Sequence, residues 1–188
     1  MPSYYRPKNE FEIVTQEKLK LYLNKINDLE FKALLSLAWL TGARISELLE
    51  VKKKDFIITS DEIKLLIKTY KQKNHPIREL IFSIKDPFTN FVLDYLQNLD
   101  NEQTLFPKCK RTYQHRLQRL NKKIFGENKN EYITFHYLRH SLISYLAREL
   151  RASAWEIQSW TGHKSSAYEE YIIKTATDRF KGQLGLRR

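Results

Sequence analysis

HYLRHSLISYLARELRASAWEIQSWTGHKSSAYEEY, residues 136–171, decides how this chain is read. The stretch opens on a polar cluster, His136, Arg139 and His140, and closes on a second, His163 followed by Tyr168 and Tyr171. Between them Leu142, Ile143, Leu146, Leu150, Trp155, Ile157 and Trp160 recur at helical spacing, so both clusters are expected on rigid helical elements. Residues three and four apart share a helix face, which aims His136 and Arg139 the same way. A neutral imidazole exchanges a proton near neutral pH, and a guanidinium beside it can hold a phosphate. The pair His136 and His140 also has zinc spacing. A zincin would need Glu at position 137, where this chain has Tyr137, and no third ligand presents itself. A satisfied structural histidine is the remaining alternative.

Working outward, the next informative stretch is Thr41-Gly42-Ala43-Arg44-Ile45-Ser46-Glu47-Leu48. Asp28 caps a helix running to Leu40, and Thr41-Gly42 ends it. A further helix is expected from Arg44 to about Val51. That places Arg44 at a helix N-terminus, where free N–H groups and the helix dipole favour anions. Arg44 there would be an orientable phosphate ligand, since a guanidinium donates two parallel bonds. The plain alternative is a surface arginine paired with Glu47 one turn on.

The rest of the chain frames these two stretches. Thr15 caps a helix over 16–27. Phe56–Thr59, Glu62–Lys68 and Ile77–Ser83 are β-rich, with turn chemistry at Ser60-Asp61 and Lys73-Asn74-His75-Pro76, and predict a small antiparallel sheet of three strands. Helices are expected over 86–99, 111–125, 135–151, 153–161 and 166–175. The fold class is mainly α with a small antiparallel β-sheet, α+β, in one domain over 11–176 between an N-terminal tail, 1–10, and a basic C-terminal tail, 177–188.

Composition narrows the partner. The chain has 188 residues and a net charge of +11, from 33 basic and 22 acidic side chains. Such a surplus favours a polyanion, most often nucleic acid. Its 41% apolar content argues against global disorder. No apolar run approaches the roughly 20 residues that span a bilayer. The first ten residues lack the apolar core of a secretory signal, so a cytoplasmic, DNA-associated location is expected. Cys109 is the one cysteine, too few for an internal disulfide or a cysteine-based zinc site.

Taken in order, T-G-x-R-x-x-E-L, then H-x-L-R-H, then G-H, then a tyrosine eight residues on resembles the catalytic domain of the tyrosine recombinases, the phage integrase family. The resemblance covers about residues 12–175. It implies a double-stranded DNA partner with a specific recombination site, assembly of two to four copies on that DNA, and a covalent 3′-phosphotyrosyl intermediate formed without a cofactor, ATP or metal. It assigns the phosphate clamp to Arg44 and Arg139, proton transfer at the nucleophile to His136 and a phosphate hydrogen bond to His163. The general acid is carried onto Lys73, with Lys71 and then Lys68 as alternatives. The nucleophile is Tyr171, with Tyr168 as the alternative. Glu47 and His140 support the site, and Lys71, Lys110 and Arg111 are expected on the DNA backbone, with further basic runs at Lys52-Lys53-Lys54 and from Arg116 to Lys123. Family members usually carry a separate DNA-binding domain before the catalytic one, so this chain is expected to be either a minimal recombinase or a catalytic domain alone. A type IB topoisomerase, which shares much of this constellation, is the rival reading.

Overall fold

A computed structural model of the chain describes residues 14–69 and 76–162. The expected positions Lys71, Lys73, His163, Tyr168 and Tyr171, the expected helix over 166–175, residues 11–13 and both tails lie outside them.

Helix α1, Gln16–Asn24, starts where Thr15 accepts a hydrogen bond from the Lys18 N–H, and ends three residues earlier than the sequence predicts. Helix α2, Leu29–Thr41, begins at the Asp28 cap. Beyond Lys32 it is almost wholly apolar and sits at the centre of the core, with Phe31, Leu34, Leu35, Leu37 and Trp39 buried. Gly42 closes it with φ 57, a left-handed conformation that glycine adopts without a Cβ penalty.

Helix α3 is only Ile45–Leu48, shorter than predicted. The chain is drawn out of it by backbone pairing further on: the Leu105 N–H donates to the Val51 carbonyl, and Lys52 bridges to Thr104.

The sheet follows the expected strands closely: β1 (Phe56–Ile58), one residue shorter than expected, β2 (Glu62–Lys68) and β3 (Ile77–Ser83), antiparallel in the order β1-β2-β3. Phe56 pairs with Leu65, and Leu65 with Leu80. The inner face carries Phe56, Ile63, Leu65, Ile67, Leu80 and Phe82. Arg78 takes one of these inward positions and is 8% exposed.

Helices α4 (Pro87–Leu96), α5 (Lys110–Phe125), α6 (Phe135–Arg148) and α7 (Ala154–Thr161) complete the domain; Asp86, Thr134 and Ser153 cap α4, α6 and α7 with their side chains, and Cys109 precedes α5 without a capping bond. α4 and α6 flank α2, and α7 packs on α6 and β3. The apolar series between the two polar clusters is therefore two helices with a corner. At that corner Arg151 takes φ 54, and the series does not stay inside: Leu150 is 59% and Trp155 74% exposed. No described helix is long and apolar enough to cross a membrane.

Candidate active site

The C-terminal end of α2, the start of α3, the inner face of β3 and facing residues of α6 and α7 meet around one buried carboxylate. Glu47 has a fully buried side chain. Its Oε2 accepts from the Arg44 backbone N–H at 3.0 Å and from Arg78 Nη2 at 3.0 Å; its Oε1 accepts from Arg44 Nη1 at 3.0 Å. Arg139, on α6, is 2% exposed, and its Nη1 donates to the carbonyl of Gly42. Among the described residues, three guanidinium groups thus converge on one carboxylate, Glu47, two more positive charges than negative. Burial, with Arg44 and Arg78 nearby, pushes Arg139 down to about 9, against the opposing pull of Glu47. It stays protonated at neutral pH. Burial likewise lowers Arg78, with Glu47 pulling the other way.

The packing around Gly42 sets the approach of these groups. A Cβ at Gly42 would lie 2.9 Å from Leu142 Cδ2 and 3.2 Å from Thr161 Cγ2, so the turn is pressed between α6 and α7. Trp160 Nε1 donates to the Leu40 carbonyl at 3.0 Å and pins α7 to the end of α2. Thr161 and Gly162, the last described residues before His163, therefore sit directly against the arginine cluster.

Arg44 departs from expectation in its surroundings. It is the N-cap residue of a four-residue helix, and its N–H is already taken by Glu47. The Arg44 guanidinium, which is 23% exposed, is a group here that can attract an anion. The ion pair with Glu47, the plainer sequence reading, is present, and it holds the guanidinium in place.

On α6, His136 is exposed and His140 half-buried. Their Nε2 atoms lie 2.7 Å apart in an edge-on arrangement, so one ring donates and the other accepts. Burial, then His136 and Arg139, push His140 down to about 4, which keeps it neutral at physiological pH. Among the described residues no three His, Cys, Asp or Glu side chains gather as a metal site.

The basic runs divide. Lys52 and Lys54 pair with Glu102, and Lys53 donates to the Leu99 carbonyl. Lys108 and Arg116 are held by Glu30 and Asp28, tying α5 to the start of α2. Lys110, Arg111, Arg119 and Lys123 lie exposed along α5. Lys68 ends β2 on the outer face, paired across from Ile77. Sequence reasoning gave Arg78 no role. The available signal was parity: Arg78 shares the alternation of Leu80 and Phe82, and a charge on the apolar side of a strand must be satisfied by something.

The fold and the arginine cluster define a class, the tyrosine-type site-specific recombinases. Residues 12–173 match the model of the phage integrase family, and the chain belongs to that family. Two proteins of Sinorhizobium fredii carrying the name integrase/recombinase, y4eF and y4qK, are each 24% identical over 95% of this chain. The chain spans 70% and 57% of their lengths. Among solved structures, XerA recombinase aligns over 95% of this chain and 66% of its own with a TM-score of 0.69 at 19% identity. The integrase of transposon Tn1549, in complex with transposon right-end DNA, aligns over 96% and 68% with a TM-score of 0.65 at 18% identity. XerH bound to its difH substrate aligns over 84% of this chain and 49% of its own, with a TM-score of 0.63 at 20% identity.

Proposed function

We propose that this chain cleaves and rejoins DNA strands at a specific recombination site through a covalent 3′-phosphotyrosyl intermediate, acting as two to four copies on double-stranded DNA. The observation that carries the reading is the gathering of Arg44, Arg78 and Arg139 around the buried Glu47, beside a histidine pair, in the recombinase fold.

The chemistry has three demands. A phenol has a pKa of about 10, so about one in a thousand is ionised at neutral pH. The phosphate repels the nucleophile, and negative charge grows on the leaving oxygen. Arg44 and Arg139 neutralise the non-bridging oxygens where that charge develops. The Tyr171 oxygen forms a bond to phosphorus, and the bond from phosphorus to the 5′-oxygen breaks. His136 takes the phenolic proton, and Lys73 supplies a proton to the leaving 5′-oxygen. His140, neutral and bonded to His136, fixes that ring's orientation. His163 donates to the phosphate. Lys71, Lys110 and Arg111 bind the DNA backbone.

Covalent trapping tests the reading. Nicked duplexes from a mixed pool are incubated with wild type, Tyr171→Phe and Tyr168→Phe. A denaturation-resistant protein–DNA adduct lost only in Tyr171→Phe is the expected result. Loss only in Tyr168→Phe moves the nucleophile. No adduct from wild type that binds the DNA refutes the proposed activity. Exchange between two sites, rather than free relaxation of supercoils, separates it from a topoisomerase.

A further inference from the structure

Arg78 belongs to none of the motifs above, yet its guanidinium is bonded on three sides. Nε donates to Thr69 Oγ1 at 2.8 Å, Nη2 to Glu47 Oε2 at 3.0 Å, and Nη1 to the carbonyl of Trp160. The side chain also lies against Gly162, where a Cβ would come within 2.8 Å of Nε and 3.0 Å of Cζ. One guanidinium therefore joins the end of β2, the start of α3 and the end of α7.

The link to Glu47 matters most. The two contacts from Arg44 are local, three residues apart, and cannot place the pair relative to the rest of the domain. The terminal torsion of a glutamate is broad, so local contacts alone leave the carboxylate plane loosely set. Arg78 supplies the contact from another element. With all three of its nitrogens donating to protein acceptors on separate elements, Arg78 holds protein groups in place rather than standing as a phosphate ligand.

We infer that Arg78 is a positioning residue: acting through the Glu47 carboxylate, it holds the Arg44 guanidinium in register with the scissile phosphate. The inference rests on the strand-cleavage reading above.

The experiment compares single-turnover cleavage by wild type and Arg78→Lys on two versions of a duplex that wild type cleaves. One carries the ordinary scissile phosphodiester. In the other a methyl group replaces one non-bridging oxygen and removes the charge that Arg44 neutralises. Arg78→Lys keeps the charge but cannot keep three contacts. Its cleavage rate on the phosphodiester is expected to fall about tenfold to a hundredfold, the scale of a misplaced catalytic group. DNA affinity stays unchanged. On the methylphosphonate the deficit relative to wild type shrinks below about threefold, because there is less charge left to neutralise. A general structural defect lowers both rates equally, and that result overturns the inference; so does an undiminished phosphodiester rate. Should Arg78→Lys fail to fold, Thr69→Val removes only the Nε acceptor and must show the same substrate-dependent deficit in weaker form, or the inference falls. Failure of wild type to form an adduct on either duplex refutes the underlying reading instead, and Arg78 with it.

Discussion

Replacing Glu47 by Gln removes one charge from the centre of the site and leaves its shape. The carboxylate accepts three hydrogen bonds, two from Arg44 and one from Arg78, and its side chain is fully buried. Each guanidinium–carboxylate pair is worth about 4 kcal/mol at an effective dielectric of about 20, so two pairs give about 8 kcal/mol of gross attraction. Most of that offsets the desolvation of the buried Glu47 and Arg78 and the part-buried Arg44. Removing one partner of such a group costs about 3–5 kcal/mol, because the charges that remain are unpaired. The amide keeps one carbonyl acceptor, which points to the lower end, about 3 kcal/mol. For a domain of this size the melting temperature should fall by about 6–12 °C. Urea unfolding at neutral pH measures the loss directly. The same change raises the local positive charge by one. If the cluster binds sulfate in the folded state, sulfate should restore more stability to the variant than it adds to wild type, beyond its general stabilising effect on both, at matched ionic strength. A loss below about 1 kcal/mol, or an identical sulfate response in the two proteins, would refute the account of Glu47 as the counter-ion of a guanidinium cluster.

Other outcomes follow from single features. Gly42→Ala places a Cβ 2.9 Å from Leu142 at φ 57, and should cost about 2–4 kcal/mol in denaturant titration, with cleavage falling as Arg139 loses its carbonyl partner's position. His140 has its pKa depressed from 6.5 to about 4, so between those values the unfolded chain binds a proton that the folded chain does not. Stability should fall as pH drops through that window, by about 1–2 kcal/mol after allowing for partial exposure, and His140→Gln should flatten that dependence in urea titrations from pH 7 to pH 4. Lys110→Ala and Arg111→Ala, both on exposed positions of α5, should each reduce the slope of log affinity against log salt by about one while leaving low-salt cleavage intact; an unchanged slope would take them off the DNA backbone.

The strands were legible because β-rich runs lie between turn signals; Glu62–Lys68 and Ile77–Ser83 keep their expected bounds, and their burial alternates in the structure, so the register follows from burying one face. Helix starts were legible for the same local reason, since Thr15, Asp28 and Ser153 cap the first turn with their own side chains. Helix ends were less so. The expected helix from Arg44 to Val51 stops at Leu48 because Val51 and Lys52 pair with Leu105 and Thr104, a partner more than fifty residues away that no local window contains. The apolar series through Leu150 and Trp155 misled in the same way. Hydrophobicity at helical spacing marks a face, but the turn at Arg151 rotates that face out of the core.

The sequence by itself determined the family, the α+β class and the two arginine-bearing motifs, T-G-x-R-x-x-E-L and H-x-L-R-H, because motif order and spacing are properties of the chain alone. Only the tertiary structure decided what surrounds them. It made Glu47 a shared counter-ion rather than a local salt-bridge partner, brought Arg78 from a strand into the site, and set the Gly42 carbonyl against Arg139. These contacts join residues 31 and 97 positions apart. A buried charge is tolerated only where distant elements bring it partners, and which elements those are is settled by packing rather than by local sequence.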